Sequence, residues 1–208
     1  MSSPPKSGKK RMQIIIASGV LALLIVLAVI LIPIITADTD PDAVAIGFVE
    51  ASFAGNFNRM NRYLAFDMET MLSEVAAAEG MSLNRLLMDE FGFPTLQEFF
   101  SNAAAQNRIA FGDDFAPEVR VMNSIPITER EMREILLDIE EDLLWEGIDP
   151  NRLLRFDRIN EMRELDVEIR IIISAFGINE RSSDTFLMVR IGRNWRILEM
   201  GSGFFGMW

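Results

Sequence analysis

The sequence predicts an α+β domain in which helices pack on an antiparallel sheet. Residues 41–107 and 128–147 carry apolar side chains at helical spacing, whereas residues 118–127 and 165–198 are rich in β-branched residues. Short turns join the last three predicted strands, which is typical of an antiparallel meander. The apolar face of this meander must be covered, and the N-terminal helices are the only cover that the sequence offers.

The first predicted helix has Asp40 as its N-cap and Pro41 in its first turn, and Gly55-Asn56 interrupts it. A second helix follows, with one apolar stripe formed by Phe57, Met60 and Leu64. Three further helical pieces are predicted at Met68 to Ala78, Ser82 to Phe91, and Thr95 to Ala105. Their many Met and Phe side chains are interpreted as core packing in preference to a ligand pocket.

The first predicted strand runs from Glu118 to Ile127. Thr128 and Glu131 then form a capping-box pattern that opens a long amphipathic helix ending at Gly147, and Asp149-Pro150 starts a short one. Further strands are predicted at Leu165 to Ile178, Thr185 to Ile191, and Trp195 to Leu198, with a turn at residues 179–184. Gly192 and Trp195 are the predicted structural residues of the closing hairpin, and Trp195 is expected to fill the core beneath it.

Residues 12–37 carry no charged side chain and predict one transmembrane helix. The nearly all-aliphatic part, residues 14–35, would span roughly 33 Å at about 1.5 Å per residue, which matches a hydrocarbon core of about 30 Å. The alternative is a cleaved signal peptide, but its apolar region usually runs only about 7–15 residues. We therefore expect an uncleaved anchor and the lipid bilayer as its partner.

The charged flanks predict the orientation of this helix. The residues before it form a basic tail, 1–11, and the residues after it begin with acidic side chains. The membrane-flanking basic residues are Lys6, Lys9, Lys10 and Arg11. The positive-inside rule puts this tail in the cytoplasm and residues 38–208 on the outer side of the cell membrane, as an extracytoplasmic domain of the cell envelope.

Composition excludes several kinds of chemistry for the outer domain. Cysteine and histidine are absent, so disulfides, thiolate metal sites and the commonest general base are excluded. After the four basic residues of the tail come 16 basic and 31 acidic residues, a formal balance of −15. Such a surface repels nucleic acid. Glu140, Glu141 and Asp142 are consecutive on a helix and point in different directions, so no metal site is predicted, and no cofactor site either.

Two segments resemble the NTF2-like (cystatin-like) superfamily. The opening segment has Pro41-Asp42-Ala43-Val44, Phe48, Phe53-Ala54-Gly55-Asn56-Phe57, Met60 and Tyr63-Leu64. The closing one is residues 186–197, with its Gly192-Arg193-Asn194-Trp195 turn. The resemblance implies a cone of helices on a curved sheet, with residues 66–107 and the helix after Thr128 as extra helices. The similarity is closest to extracytoplasmic domains of uncharacterised bacterial envelope proteins.

Three classes of function follow from this plan. The preferred one is a non-enzymatic binding or scaffold module that takes an envelope protein partner or a small apolar ligand. The first alternative is an assembly subunit of a type IV secretion or conjugation machine, whose inner-membrane subunits have a similar architecture. The second is an enzyme resembling the isomerases and cyclases of the superfamily, which need a carboxylate or histidine base and an oxyanion donor. Tyr63 is the single tyrosine and is interpreted as a residue at the edge of the core. Asp166 and Glu168 are interpreted as solvated strand residues, so no catalytic residue is predicted.

The last eight residues, Gly201 to Trp208, combine three glycines with Phe204, Phe205 and Trp208. Exposed aromatic side chains at this density are unusual unless they are buried or bind something. Three interpretations stay open: the segment packs into the domain itself, it docks a partner, or it inserts at the membrane–water interface.

Overall fold

The computed structural model describes residues 37–112, 117–173 and 178–200. The predicted transmembrane segment up to residue 36, the basic tail and residues 201–208 lie outside the described residues. Within the described ranges, no helix is both long enough and apolar enough to cross a membrane.

Five helices follow a short 3₁₀ turn at Ala37–Thr39. They are α1 Pro41–Phe53, α2 Phe57–Asn61, α3 Met68–Ala78, α4 Leu83–Phe91 and α5 Leu96–Phe111. The side chains of Asp40, Ser82 and Thr95 each accept a hydrogen bond from a backbone N–H of the helix that follows. The predicted N-cap Asp40 and the predicted helix starts at Ser82 and Thr95 are therefore confirmed.

Two predicted helix bounds are wrong. Helix α5 continues past Ala105 to Phe111, because nothing before Gly112 ends it. Helix α2 ends at Asn61, so Leu64 is buried from a non-helical segment. There the backbone joins the sheet instead: the N–H of Ala65 donates to the carbonyl of Ile197, and the N–H of Ile197 to the carbonyl of Tyr63, both at 2.8 Å.

The described strands form one four-stranded antiparallel sheet in the order β1-β2-β3-β4. The strands are β1 Glu118–Pro126, β2 Ile159–Ile173, β3 Ile178–Ile191 and β4 Asn194–Met200. The predicted α+β class and the antiparallel meander are thus confirmed. The predicted turn at 179–184 is wrong, because these residues belong to β3: Asn179 lies opposite Ile172 and Asp184 opposite Val167. The second strand likewise starts at Ile159, ahead of the predicted Leu165.

One face of the sheet packs against α1–α5, as predicted. Phe48 of α1 and Phe186 of β3 are both almost fully buried, and their rings meet edge to face at 5.9 Å. The sheet contributes alternate residues to this main core. They are Leu165, Val167, Ile169, Phe186, Met188, Trp195 and Ile197.

The opposite face of the sheet has a cover of its own. Helices α6 Glu129–Trp145 and α7 Pro150–Leu153 lie between β1 and β2 in the sequence. A second core joins Met132, Ile135, Leu136 and Ile139 of α6 to buried residues of the sheet, among them Met162, Val189 and Leu198. The N-terminal helices are therefore not the only cover, and that expectation is wrong. The capping box of α6 is confirmed, with Glu131 N–H donating to Thr128 Oγ1 at 3.3 Å and Thr128 N–H to Glu131 Oε2 at 3.0 Å.

Both cores are built from residues between Val44 and Leu198. Asp38–Trp208 forms one compact unit, and its described residues carry both hydrophobic cores, as an independently folding domain requires.

Candidate ligand cavity

An apolar cavity of about 520 Å³ lies among α1–α5 and the end of β4. It is lined by Phe48, Phe91, Phe99, Phe100, Met60, Met68, Met71, Met200, Leu72, Leu96 and Glu90. The Met and Phe stripes that the sequence predicts as core thus also form the walls of an internal space.

Aromatic rings give one wall of the cavity a fixed shape. The ring of Phe100 stacks on Phe57 at 5.8 Å and meets Phe99 edge to face at 5.1 Å. The ring of Phe91 in α4 contacts the ring of Phe99, with 5.2 Å between the ring centres, and so belongs to the same aromatic group. Such edge and offset contacts are the favoured arrangements of aromatic pairs. The methionine thioethers on the other walls are unbranched and adapt to irregular contents.

A polar clamp between α2 and α3 fixes the methionine side of the cavity. Asp67 is the N-cap of α3, and its Oδ1 accepts the N–H of Thr70 at 2.8 Å. Its Oδ2 accepts Asn61 Nδ2 at 2.7 Å, while Asn61 Oδ1 accepts the N–H of Met68 at 2.9 Å. The clamp therefore holds the end of α2 and the start of α3 together, with Met60 and Met68 beside it.

The ionisation of Asp67 favours this clamp. Burial raises the pKa of this carboxyl, but the hydrogen bonds from Thr70 and Asn61 to the carboxylate outweigh burial and hold the pKa below its ordinary value. Asp67 is therefore ionised at neutral pH and remains an acceptor for all of its donors.

Gly55 sets the distance between the α1–α2 junction and α5. Its φ of +67° is in the left-handed region, and a Cβ built there would lie 2.7 Å from the carbonyl oxygen of Phe100 and 2.7 Å from Cβ of Ala104. Gln97 Nε2 also donates to the carbonyl of Gly55 at 3.2 Å. Only glycine lets these segments meet this closely beneath the aromatic wall.

The cavity is nearly free of charge. Glu90 is the one ionisable side chain among the described lining residues, and it is solvent-exposed. In the described parts of the chain, no group of three or more acidic residues is arranged to hold a metal ion. The cavity is thus suited to holding an apolar molecule and lacks a buried acid–base pair in its described wall.

The residues weighed as catalytic candidates do not meet in this cavity. Tyr63 is half-buried against α1, with its hydroxyl oxygen 2.5 Å from the position that a Cβ of Gly47 would take, and it is outside the described cavity wall. Asp166 and Glu168 lie on the face of β2 opposite to the main core. Asp166 accepts a long hydrogen bond, 3.4 Å, from Thr185 Oγ1, and Glu168 is 4.0 Å from Arg181.

The closing hairpin has Gly192 in its turn, with a φ of +65°, and Trp195 in the main core, 3% exposed. The guanidinium of Arg163 lies 5.6 Å from the centre of the Trp195 ring. Glu161 forms ion pairs with Arg163 at 3.2 Å and with Arg190 at 3.0 Å. Ion pairs therefore lie beside the indole at the edge of the core.

Sequence reasoning missed Asp184. It is 8% exposed on the core side of β3, two residues before Phe186, and its Oδ1 accepts the N–H of Thr185 at 2.8 Å. The alternation of Asp184, Phe186 and Met188 is the signal that could have revealed it, but the polar residues before it indicated a turn. Asp184 is not part of the described cavity wall.

No family model, curated protein or solved structure gives a significant match to this chain. The fold and the cavity define the class: an α+β domain with an antiparallel sheet and an apolar cavity among its helices. The functional argument rests on that cavity.

Proposed function

We propose that the chain is a single-pass membrane protein whose extracytoplasmic domain, residues 38–208, binds a small apolar ligand and catalyses no reaction. The cavity carries this proposal. Its volume of about 520 Å³ falls within the roughly 300–1,000 Å³ that is usual for ligand pockets, and its walls are aromatic and aliphatic.

The charges around the cavity narrow the class of ligand. Among the described wall residues, Glu90 is the ionisable one, and the formal charge of the whole chain is −11. A carboxylate or phosphate on the ligand would be repelled by Glu90 and by the negative charge of the chain. The expected ligand is therefore neutral, or carries a hydroxyl or a cation that Glu90 can bind.

The composition of the wall supports a binding role over catalysis. General acid–base catalysis requires a side chain with a matched pKa within hydrogen-bond reach of the substrate. Glu90 is exposed to water, and Tyr63 packs over Gly47. An apolar cavity of this kind can hold and orient a molecule, but it offers no described pair of groups to move a proton.

The helix pair α1 and α2 on an antiparallel sheet, closed by the β3–β4 hairpin, supports membership of the NTF2-like superfamily as part of this proposal. Helices α3, α4 and α5 would then be insertions that extend the helical layer on the main-core face of the sheet. Helix α6 would be an insertion that covers the opposite face of the sheet. The cavity lies between α3–α5 of these additions and α1, α2 and β4. A ligand site there would be specific to this chain's elaboration of the fold.

The membrane anchor is tested by its topology. A phosphatase that is active only outside the cytoplasm, fused after Trp208, should be active, and the mature protein should begin at Met1. Replacing Lys6, Lys9, Lys10 and Arg11 together by Asn should reduce that activity, because the basic flank sets the orientation. A mature protein that begins at Asp38 would contradict the anchor and indicate a signal peptide.

The cavity is tested with N-phenyl-1-naphthylamine, a neutral probe that fluoresces in apolar surroundings. Residues 38–208 should bind it, and both Leu72→Asp and Leu72→Trp should weaken binding at least about tenfold. The first variant adds an unpaired charge to the wall and the second fills the space. Each effect corresponds to about 1.4 kcal/mol or more.

The matched control is Leu137→Asp. Leu137 is 56% exposed on α6, which packs on the other face of the sheet, so this variant should bind the probe as the parent does. Circular dichroism checks that each variant is folded. If the folded Leu72 variants bind the probe as tightly as the parent, the cavity is not the binding site.

A further inference from the structure

We infer that residues 204–208, Phe-Phe-Gly-Met-Trp, are the resident occupant of the apolar cavity, and that an external ligand must displace them. Only the displacement of this segment by an external ligand rests on the proposed function. The occupancy itself rests on the cavity, on the point where the described chain ends and on the chemistry of the residues that follow.

The described chain ends at the cavity. Met200 is the last residue of β4 and lies opposite Phe186, and its side chain is part of the cavity wall. Phe186 contacts Phe48, another wall residue, at 5.9 Å. The residues after Met200 therefore start beside the cavity.

The composition of the following segment matches the cavity. Residues 201–208 have no charged side chain and include two Phe, one Met and one Trp. Each aromatic side chain has about 150–250 Å² of surface to bury. On an otherwise acidic domain, three such side chains in water would be an unusually apolar patch. A cavity lined by Phe, Met and Leu offers them edge-to-face and thioether contacts of the kind already present in its walls.

The lengths are compatible as well. A sphere of 520 Å³ is about 10 Å across. Phe204 follows Met200 by four residues, which can extend up to about 14 Å at roughly 3.3–3.6 Å per residue. Gly201 and Gly203 permit turns that other residues disfavour. The aromatic side chains can thus reach the cavity without any displacement of β4.

A groove on the other face of the sheet competes for the same segment. It also reaches Met200, but Glu164 and Glu199 line it, and Ile135 of α6 is on its other side. Carboxylates lose hydration when an uncharged aromatic segment covers them. Glu164 and Glu199 are solvent-exposed, as Glu90 is at the cavity, but the groove has two such carboxylates and the cavity one among their described lining residues. A segment whose side chains are all uncharged therefore fits the cavity better than the groove.

Occupancy by a tethered segment has a quantitative consequence. A short tether gives an effective concentration on the order of millimolar, so even weak intrinsic contacts keep the cavity filled. The apparent dissociation constant of an external ligand rises in inverse proportion to the fraction of open cavity. If a tenth or less of the molecules are open, removing the segment strengthens ligand binding at least about tenfold.

The first experiment locates the segment by cross-linking in the full chain, reconstituted in nanodiscs. Because the chain has no cysteine, a pair introduced by Glu90→Cys and Gly206→Cys is the only target of a short bismaleimide. We expect an intramolecular adduct in most molecules, and its yield should fall with saturating probe. The control pair uses Arg193→Cys, in the β3–β4 turn, which adjoins the end of β4 remote from Met200, and should give less than about a tenth of that yield.

Three outcomes of the cross-linking would overturn the inference. One is an equal yield for the Glu90 and Arg193 pairs. Another is a higher yield when Ile135→Cys replaces Glu90→Cys, which would locate the segment in the groove. The third is an adduct between two chains, which would make the segment a docking element for a second copy.

The second experiment compares residues 38–208 with residues 38–200. The shorter domain should bind N-phenyl-1-naphthylamine at least tenfold more tightly, and without probe it should melt roughly 5 °C lower, because buried aromatic surface is lost. Trp208→Ala should shift both values in the same directions, and Ser202→Ala should shift neither. Equal affinity of the two domains would overturn the inference. If neither domain binds the probe, the proposed ligand function is wrong, and the cross-linking alone decides the occupancy.

Discussion

Trp195→Ala should lower the free energy of unfolding of residues 38–208 by about 3–5 kcal/mol, the usual range for truncating a buried aromatic residue to alanine. The indole is 3% exposed and belongs to the main core, so its removal leaves a cavity between β4 and its neighbours. The substitution also removes the ring beneath the guanidinium of Arg163. Urea denaturation followed by circular dichroism measures the loss independently of tryptophan fluorescence.

Trp145→Ala is the matched control. Trp145 is the last residue of α6 and is 89% exposed, so the same substitution should change the free energy of unfolding by less than about 0.5 kcal/mol. A loss below about 1 kcal/mol for Trp195→Ala would mean that the closing hairpin is not anchored by its indole. It would also weaken the resemblance that the Gly192–Trp195 turn carries.

The helix starts could be predicted from the sequence because capping is local chemistry. Asp40, Ser82 and Thr95 each bond a backbone N–H two or three residues further along, and Thr128 with Glu131 completes a box within four residues. No distant part of the chain decides these contacts. Their side chains can therefore be recognised without knowledge of the fold.

The extent of β3 could not be predicted in the same way, because a partner strand decides it. Residues 179–184 are polar and by themselves indicate a turn. Their backbone nevertheless pairs with β2 along its whole length, from Asn179 opposite Ile172 to Asp184 opposite Val167. Ladder hydrogen bonds do not require apolar side chains, and the sequence of β3 does not reveal which residues of β2 lie opposite it.

Local sequence patterns could not predict the cavity either, for a related reason. Met60, Met68 and Leu72 have the same spacing whether they pack tightly or border a space. The distances between helices make the difference, and the clamp of Asn61 and Asp67 and the close approach at Gly55 set those distances. The strand pattern predicts one apolar face for the meander, whereas Met162, Val189 and Leu198 supply a second one.

Gly55→Ala should lower the free energy of unfolding of residues 38–208 by about 3 kcal/mol or more. A non-glycine residue in the left-handed region costs roughly 1–2 kcal/mol by itself. The added Cβ would also lie 2.7 Å from the carbonyl oxygen of Phe100, a backbone atom held within α5. Relief requires the α1–α2 junction to move away from α5, so the aromatic wall of the cavity shifts and the affinity for N-phenyl-1-naphthylamine should fall as well.

Gly80→Ala separates the two contributions. Gly80 has almost the same φ, +71°, but a Cβ there would meet no atom within 4 Å. This variant should lose only the roughly 1–2 kcal/mol of the left-handed backbone and should bind the probe as the parent does. The difference between the two variants in urea denaturation then measures the contact with α5. Equal losses would mean that α5 yields to the added methyl group, and that the approach at Gly55 does not set the width of the cavity.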